Sequence, residues 1–484
     1  MTTFADLGVP AALVRTLTDQ GITAPFPIQT ATLPDSLAGT DVLGRGRTGS
    51  GKTLAFALPL VVRTAAAKAR TVARRPRALV LAPTRELATQ IDATVAPLAA
   101  ALGLSTTTIF GGVAQSRQVT ALDRGVDIVI ACPGRLEDLL KQRLVSLDDV
   151  QITVLDEADH MADLGFLPVV KRLLDRTPTG GQRLLFSATL DNGVDVIVKR
   201  YLRTPVEHAV DSAASPVSTM THHVLEVRDA ETKKAVVAQL ASGTGRRVLF
   251  MRTKHHAKKL AKQLTADGIP AVDLHGNLGQ GARERNLEAF SSGAVKVLVA
   301  TDIAARGIHI DDVELVIHVD PPAEHKAYLH RSGRTARAGS GGDVVTLVLP
   351  EQRGDVRALT RAAKITAQPQ QVLPGDAVLT RLVGEVAPHV RPAPVQAQPA
   401  ARPKSGASAG QRSGRGRGQG SAPAGQRRTG TTTYTTSTGQ APGAPTPGSS
   451  SSAGQARAAG DGAARRRRRG GRGRGAAAPR SAGA

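Results

Sequence analysis

The chain has 484 residues, with 63 Lys and Arg against 40 Asp and Glu, a formal net charge of +23 and one cysteine, Cys132. That length is too great for one ordinary core, so two or three domains are expected; a lone thiol excludes an internal disulfide framework, and the apolar runs are far too short to span a bilayer. Residues 391–484 hold 17 of the basic residues against a single acid, Asp461, so +16 of the charge lies there and +7 on residues 1–390. A mildly basic body with a strongly basic tail suits a polyanion such as nucleic acid, the plain alternative being a tail that only solubilises. The opening MTTFADLGVPAALV has no basic segment followed by a long apolar one. It does not read as a secretory leader, and a soluble cytoplasmic protein with no membrane partner is expected. With no Trp and 2% aromatic residues, rings for stacking bases are scarce. A grip on nucleic acid would then rest on its backbone.

In chain order, Asp41–Gly44 reads as a short strand and Leu54–Val62 as the apolar helix after it. Ala78–Pro83, Thr106–Phe110, Asp127–Ala131, Ile152–Leu155 and Leu184–Ser187 read as further strands, with the amphipathic stretch Glu86–Leu102 between the first two. Alternation of this kind predicts a parallel sheet covered on both faces. Thr204–Val217, with two prolines and several small residues, reads as a hinge linker. Beyond it the rhythm recurs. Val248–Met251, Val272–Leu274, Val295–Ala300, Leu315–Val319 and Val344–Leu349 are the predicted strands, with Lys254–Asp267 and Gly281–Ser291 as helices. Near residue 370 the pattern fades, and from 391 the chain is Gly, Ala, Ser, Pro, Gln and Arg, with the tracts RSGRGRG (412–418) and RRRRRGGRGRG (465–475). Such a composition cannot build a core and predicts disorder. The fold class is α/β: two successive parallel-sheet domains followed by a disordered basic C-terminal tail.

Two groups of residues carry nucleotide chemistry. Gly46–Thr53, GRTGSGKT, fits G-x-x-x-x-G-K-T between a strand and a helix. The backbone N–H groups of Gly46, Arg47, Thr48, Gly49, Ser50 and Gly51 would turn inward around phosphate oxygens, assisted by the helix N-terminus. Lys52 would reach the β- and γ-phosphates and Thr53 would hold Mg²⁺. Asp156-Glu157-Ala158-Asp159 closes the strand Ile152–Leu155, where an open parallel sheet binds ligands. Asp156 would bind Mg²⁺, and Glu157 would orient and deprotonate an attacking water. An acidic cluster after a strand is otherwise a helix cap or a solvated turn.

The phosphate loop, the literal D-E-A-D and Ser187-Ala188-Thr189 together resemble the DEAD-box RNA helicases of helicase superfamily two, over roughly residues 4–350. The resemblance implies two tandem RecA-like domains, ATP and Mg²⁺ as cofactors, and RNA-dependent ATP hydrolysis. It implies a Q-motif segment at 1–30, an ATP-binding domain at 31–210, a hinge at 211–220, a C-terminal helicase domain at 221–370, a short extension at 371–390 and an RNA-binding tail at 391–484. Within the first segment Gln29 would read the adenine edge, since an amide donates and accepts at once, and Phe4 would pack against the base. HRSGRTARAG, His330–Gly339, resembles the family's motif six. Arg334 and Arg337 take its finger positions and, three residues apart, would share one face of a helical turn. VATDIAARGIHI, Val299–Ile310, resembles motif five. Asp302 would contact the ribose and Thr301 an RNA phosphate, with a helix N-cap as the structural rival for Asp302. Ser187, Thr189, Asp159, His330, Arg306 and Gly307 would couple the nucleotide site to RNA.

Pro83, Thr84, Arg85, Gly112, Pro133, Gly134 and Arg135 in the first domain, with Thr253, Gln280, Arg283 and Thr301 in the second, resemble the family's RNA contacts. Hydroxyls, glycine N–H groups and arginine suit phosphate, and 2′-OH contacts favour RNA without reading its sequence. Closure on ATP would clamp and bend single-stranded RNA, separate short duplexes locally and release on hydrolysis. Departures from the family pattern are Cys132 for threonine, Ser332 for isoleucine, Ala336 for glycine, Asn277 for an acid and His160 for arginine. Two rivals remain open at this stage, an ATP-gated RNA-binding scaffold with poor turnover and a DNA helicase. A monomer is the expectation, and ribosome assembly, RNA decay and cold adaptation are equally open as settings.

Overall fold

The computed structural model describes residues 2–46, 49–67, 70–191, 193–210, 220–305, 313–336 and 341–390. The readings made for Arg47, Thr48, Arg306, Gly307, Arg337, most of the hinge and the basic tail lie outside them. Two seven-stranded sheets organise the described chain. The first is built from β1 (Val42–Arg45), β2 (Ala78–Leu81), β3 (Thr106–Ile109), β4 (Ile128–Ala131), β5 (Ile152–Asp156), β6 (Gln182–Ser187) and β7 (Val206–Ala209). The second holds β8 (Met220–Glu226), β9 (Arg246–Phe250), β10 (Ala271–Leu274), β11 (Val297–Ala300), β12 (Val313–His318), β13 (Gly342–Val348) and β14 (Pro369–Gln371). Every strand pairing within them is parallel.

The strand orders, β3-β4-β2-β5-β6-β1-β7 and β10-β11-β9-β12-β13-β8-β14, are the same order twice. These are two RecA-like lobes in tandem. A parallel sheet must be covered on both faces, and alternate residues of each strand serve opposite layers. Ala78 and Val80 join one apolar core with Phe56, Leu60, Ile91 and Leu98, while Leu79 and Leu81 join the other with Leu136, Leu139, Met161 and Leu173. Lobe two repeats this, with Leu249, Val299 and Ile317 in one layer and Val248, Phe250 and Val316 in the other.

The predicted core strands match observed ones within a few residues, but three strands lack an apolar signature. Val206–Ala209, expected inside the hinge linker, is the edge strand β7 and pairs with β1. β14 is PQQ and fully exposed, and β8 carries Thr221, His222 and His223. β7 and β14 lie at sheet edges, where a continuous apolar run is not needed, whereas β8 is an interior strand whose buried apolar residues, Val224 and Leu225, fall in its C-terminal half. Past β14, the stretch expected as a short extension adds the helix Ala377–Val383, with Leu379 and Val383 buried, and backbone hydrogen bonds from Thr244 to Glu385 and from Ala387 to Ser242.

The shared topology places the chemistry. Gly46, Pro83, Phe110, Cys132, Glu157 and Ala188 follow the C-terminal ends of six strands of lobe one, so their loops gather along one edge of the sheet. In lobe two, Thr253 follows β9, His275 follows β10 and Thr301 follows β11. The lobes differ where β1 and β8 feed their helices. In lobe one, Gly51 precedes the helix Lys52–Ala66 and leaves its first N–H groups without a side-chain cap. In lobe two, Asp229 caps the helix Ala230–Ala241, its carboxylate accepting from Thr232 N at 2.8 Å. A carboxylate there repels phosphate, so of these two equivalent helices the one in lobe one has the start suited to phosphate.

Candidate nucleotide and RNA site

The phosphate loop is shaped by backbone that only glycine adopts cheaply: Gly49 and Gly51 have φ of 88° and 89°. Gly51 also has no room for a side chain, since a Cβ would lie 2.6 Å from both Gln29 Nε2 and Phe26 Cδ2. Gly46 N donates to Ser187 O at 3.3 Å, tying the loop to β6. Lys52 opens the following helix, is buried, and donates from Nζ to Gly46 O at 2.7 Å. Thr53 is the next residue of that helix. Gln29 is buried with its amide held at both ends: Oε1 accepts from Phe26 N and Nε2 donates to Gly51 O, each at 2.9 Å. The first segment is thus latched directly to the phosphate loop. Phe4 is buried in the lobe-one core with Leu13, Leu17 and Ile28. Phe26, by contrast, is 48% exposed beside Gly51. Sequence reading passed over it, although an aromatic directly before Pro-Ile-Gln was a legible signal.

Asp156 closes β5, and Glu157 follows at φ 50°, a left-handed conformation costly for a residue with a side chain. Glu157 stands at the N-cap position of the helix Ala158–Asp163 yet makes no side-chain cap. Its Oε2 lies instead 3.2 Å from His160 Nδ1. The departure at His160 therefore sits on the expected base itself. Burial pushes both carboxyls up. For Asp156 the neighbouring Glu157 charge adds to that rise. For Glu157 the rise is outweighed by the His160 hydrogen bond and by the charges of His160, Lys52 and Arg334, which hold it ionised below the usual carboxylate range. Asp159 turns the other way. Its Oδ2 accepts from Thr189 N at 3.1 Å and Thr189 Oγ1 at 3.3 Å, while Asp159 N donates to Ser187 Oγ at 3.2 Å. Ser187 Oγ in turn donates to Thr189 O at 2.7 Å. The acidic tetrad and the loop after β6 form one hydrogen-bonded unit.

Lobe two brings Arg334 to this place. Lys52, Glu157, Asp159, His160 and Ala188 of lobe one and His330 and Arg334 of lobe two line one small cavity of about 20 Å³. The expectation that Arg334 lies on a helical turn is corrected: the helix His325–Ser332 ends at the Gly333 cap and Arg334 follows in a turn. Thr335 Oγ1 hydrogen-bonds to Val313 O, anchoring that turn to β12. Asp302 opens a single helical turn, Asp302–Ala305, and its carboxylate is gripped by the guanidinium of Arg331, with Nη2–Oδ2 at 2.7 Å. Arg331 also donates to Asp320 O at 2.8 Å and lies 5.1 Å from the Phe250 ring centroid. Its role was missed in the sequence, where it reads as one more arginine of the block.

Among the residues expected at RNA, Thr84 and Thr253 occupy equivalent places after β2 and β9. Each caps a helix, accepting from Leu87 N at 3.2 Å and from His256 N at 3.3 Å. A hydroxyl that accepts from the helix still has its own O–H to donate. Gly112 has φ 78°, and a Cβ there would lie 2.1 Å from Arg85 Nη1, so the glycine seats that guanidinium. Pro133 starts the helix Pro133–Lys141, Gly134 is exposed, and Arg135 holds a buried Nη1 with no hydrogen-bond partner among the described residues. Thr301 is half-buried at the end of β11. Gln280 and Arg283, expected at RNA, are drawn across to lobe one. Arg283 Nε donates to Glu86 Oε1 at 2.7 Å, and Arg85 Nη1 donates to Gln280 Oε1 at 3.2 Å. The remaining nitrogens of Arg283 reach the carbonyl oxygens of His275 and Ala304. The carboxylate that takes Arg283 belongs to buried Glu86, which the sequence reading places only at the start of an amphipathic stretch.

Two RecA-like lobes, one carrying a phosphate loop and acidic tetrad and the other presenting an arginine to them, define a two-lobed RecA-like architecture with one composite site. Residues 26–197 match the DEAD/DEAH box helicase family and residues 231–339 the helicase conserved C-terminal domain. The chain is 40% identical over 366 residues to the chloroplastic DEAD-box ATP-dependent RNA helicase 3B of Zea mays, covering 74% of this chain and 49% of that one, about half its length. It is 38% identical over 404 residues to the ATP-dependent RNA helicase RhlB of Xanthomonas oryzae pv. oryzae, covering 82% of this chain and 69% of that one. S. cerevisiae Dbp5 bound to RNA and ADP BeF3 superposes with a TM-score of 0.69 at 26% identity, covering 79% of this chain and 100% of that one. The chain belongs to the DEAD-box helicase family.

Proposed function

We propose that this protein is an ATP-dependent RNA helicase whose hydrolytic site is completed when ATP and RNA draw its two lobes together. The observation that carries the proposal is the shared cavity in which Arg334 of lobe two meets Lys52 and Glu157 of lobe one. Gly46–Thr53 would receive the phosphates, with Arg47 and Thr48 included by position. Gln29 would meet the adenine and Asp302 the ribose, while Phe4, first expected at the base, lies in the lobe-one core and would support the Gln29 segment from there. Mg²⁺ suits Asp156, a buried carboxyl whose ionisation is opposed by burial and by Glu157. Thr53 and Asp156 would hold the ion, which supplies positive charge to the phosphate oxygens. Glu157, kept ionised through His160, orients the attacking water and takes its proton. Lys52 and Arg334, with Arg337 by position, offset the charge that develops on the transferred group.

RNA would lie along the loops after β2, β3, β4, β9 and β11. Thr84, Gly112, Pro133, Gly134, Arg135, Thr253 and Thr301 would meet its phosphates and 2′-hydroxyls without regard to sequence. Arg85, Gln280 and Arg283 lie between the lobes and would fasten the closed state. Bending of the clamped strand opens short duplexes, and the Asp159–Ser187–Thr189 unit, with His330, Arg306 and Gly307, passes hydrolysis on to release. The domain limits at 30, 210, 220, 370 and 390 and the salt-sensitive RNA grip of the tail 391–484 belong to this reading. So do a monomeric state, a cytoplasmic location and a place in ribosomal or RNA-decay assemblies. The test is ATP turnover with no nucleic acid, with single-stranded RNA and with the matching DNA, beside Glu157→Gln. RNA should stimulate turnover, and the variant should lose about 10²–10⁴-fold while still binding both ligands. Equal stimulation by DNA would turn the reading to a DNA helicase, and RNA binding without turnover to an ATP-gated scaffold.

A further inference from the structure

A second cleft, of about 570 Å³, opens on lobe one away from the nucleotide and RNA loops. Its lining comes from the opposite edge of the same sheet. Gly39 precedes β1, Arg77 precedes β2, Gln151 precedes β5, Gln182 starts β6 and Arg203 precedes β7. The phosphate loop and the acidic tetrad follow the far ends of those parallel strands, so the length of a strand, roughly 15–20 Å, separates the two sites.

Five arginines face this cleft, namely Arg63, Arg70, Arg75, Arg77 and Arg203, against Asp148 and Asp149. Two of the five are neutralised. Arg75 makes a two-pronged pair with Asp149 at 2.6 and 2.7 Å, and Arg77 pairs with Asp127 at 2.6 Å. Arg63, Arg70 and Arg203 have no carboxylate partner among the described residues. Two of these three are steered by neutral backbone instead. Arg203 donates from Nη2 to Gly180 O at 3.0 Å, and its backbone N–H is held by Asp41 at 2.7 Å. Arg63 lies across Gly39, where a Cβ would come within 2.6 Å of its Nη1. Arg77, only 6% exposed, keeps an Nε donor without a hydrogen-bond partner among the described residues.

Three guanidinium groups without a carboxylate partner among the described residues, lining a concave space of ligand size, suit phosphate better than any neutral group. We propose that this cleft is a second anion site, for a small molecule bearing adjacent phosphate groups, reached independently of the phosphate loop. RNA is the less suited occupant, because the groups expected to hold RNA lie at the other end of the strands.

The test uses the full chain with ADP and Mg²⁺ saturating the phosphate loop and titrates inorganic pyrophosphate by calorimetry. Arg70 and Arg203 are exposed and line this cleft, at the other end of the strands from the nucleotide site. The double variant Arg70→Gln/Arg203→Gln should therefore keep its melting temperature and basal ATP turnover. Wild type should bind one pyrophosphate, and the variant should bind it about tenfold or more weakly, as expected for two lost charge-assisted contacts. No binding to wild type, or equal affinity in the variant, would overturn the site, the latter assigning the anion to the basic tail. Lowered RNA affinity in the variant without any pyrophosphate binding would overturn it in favour of an RNA backbone contact.

Discussion

Ala336 has φ 54°, in the region where glycine is at ease and alanine is not. The turn that carries Arg334 past the end of its helix therefore holds a strained alanine. Ala336→Gly should stabilise lobe two by about 1 kcal/mol, the left-handed penalty less the added unfolded-state entropy of glycine. Urea denaturation of the two proteins side by side checks this, and a destabilised variant would mean that the methyl group makes contacts worth more than the strain. Cys132 shows the reverse case of a residue made inert by its surroundings. Burial and then the Glu86 charge push its thiol up to about 12. Only ~10⁻⁴ of it is ionised at pH 8, and the thiolate is the reactive form. Iodoacetamide at pH 8 should leave Cys132 unmodified in the native protein and label it fully in urea, as mass spectrometry would report. Rapid native labelling would show that the start of the helix Pro133–Lys141 opens readily.

Between elements, the contact that matters most is the one from the helix Arg85–Ala101 to the helix Gln280–Ser291. Glu86 and Arg283 meet with side chains only 8% and 12% exposed. A buried pair of this kind is weak evidence for stability but costly to break from one side, because the remaining charge stays out of water. Since the pair joins two lobes, each lobe should fold without it and closure should suffer. Glu86→Ala, Arg283→Ala and the double variant form a thermodynamic cycle. Each single change is expected to reduce the coupling between ATP and RNA binding by about 1–3 kcal/mol, with little change in melting temperature. Full additivity in the double variant would remove the pair from the closing mechanism.

At the scale of the whole molecule, the lobes share a topology but differ in what they bury. Lobe two keeps a ring cluster under its arginine turn. His222 Nδ1 lies 3.1 Å from the Tyr328 hydroxyl, and the His318 ring stands edge-on to Tyr328 with centroids 4.6 Å apart. Burial lowers His222 to about 4, with His223 adding to the fall, and it lowers His318 well below the usual histidine range, with help from the Arg331 charge. In the unfolded chain both titrate near 6.5. Below that pH the unfolded state takes up protons that the folded state refuses, so stability is lost as pH falls from 6.5 towards 4. His222 alone accounts for about 2 kcal/mol by pH 5, with His318 acting in the same direction. Denaturation monitored between pH 7.5 and 5 should show lobe two weakening first. Equal acid sensitivity of the lobes, or none, would contradict this.

Local chemistry was legible in the chain itself. Glycines that must turn left-handed, a lysine and threonine opening a helix, and carboxylates at the end of an apolar strand are set by short spacing and by the period of the backbone. The core strands were readable for the same reason, since a sheet covered on both faces demands runs such as ALVL and IVIA. The edge strands β7 and β14 were not, because exposure removes that demand. Long-range partnership was decided only by the folded chain. Glu86 meets Arg283 across 197 residues and Asp302 meets Arg331 across 29. Gln29 spends its amide on Gly51. Arg334 owes its place to a turn anchored on β12 rather than to a helical face. Spacing along a chain fixes which groups can share an element. Which charge then meets which is fixed by how sheets stack and lobes close, because an arginine is satisfied equally well by many carboxylates and is paired with the one that packing brings within 3 Å.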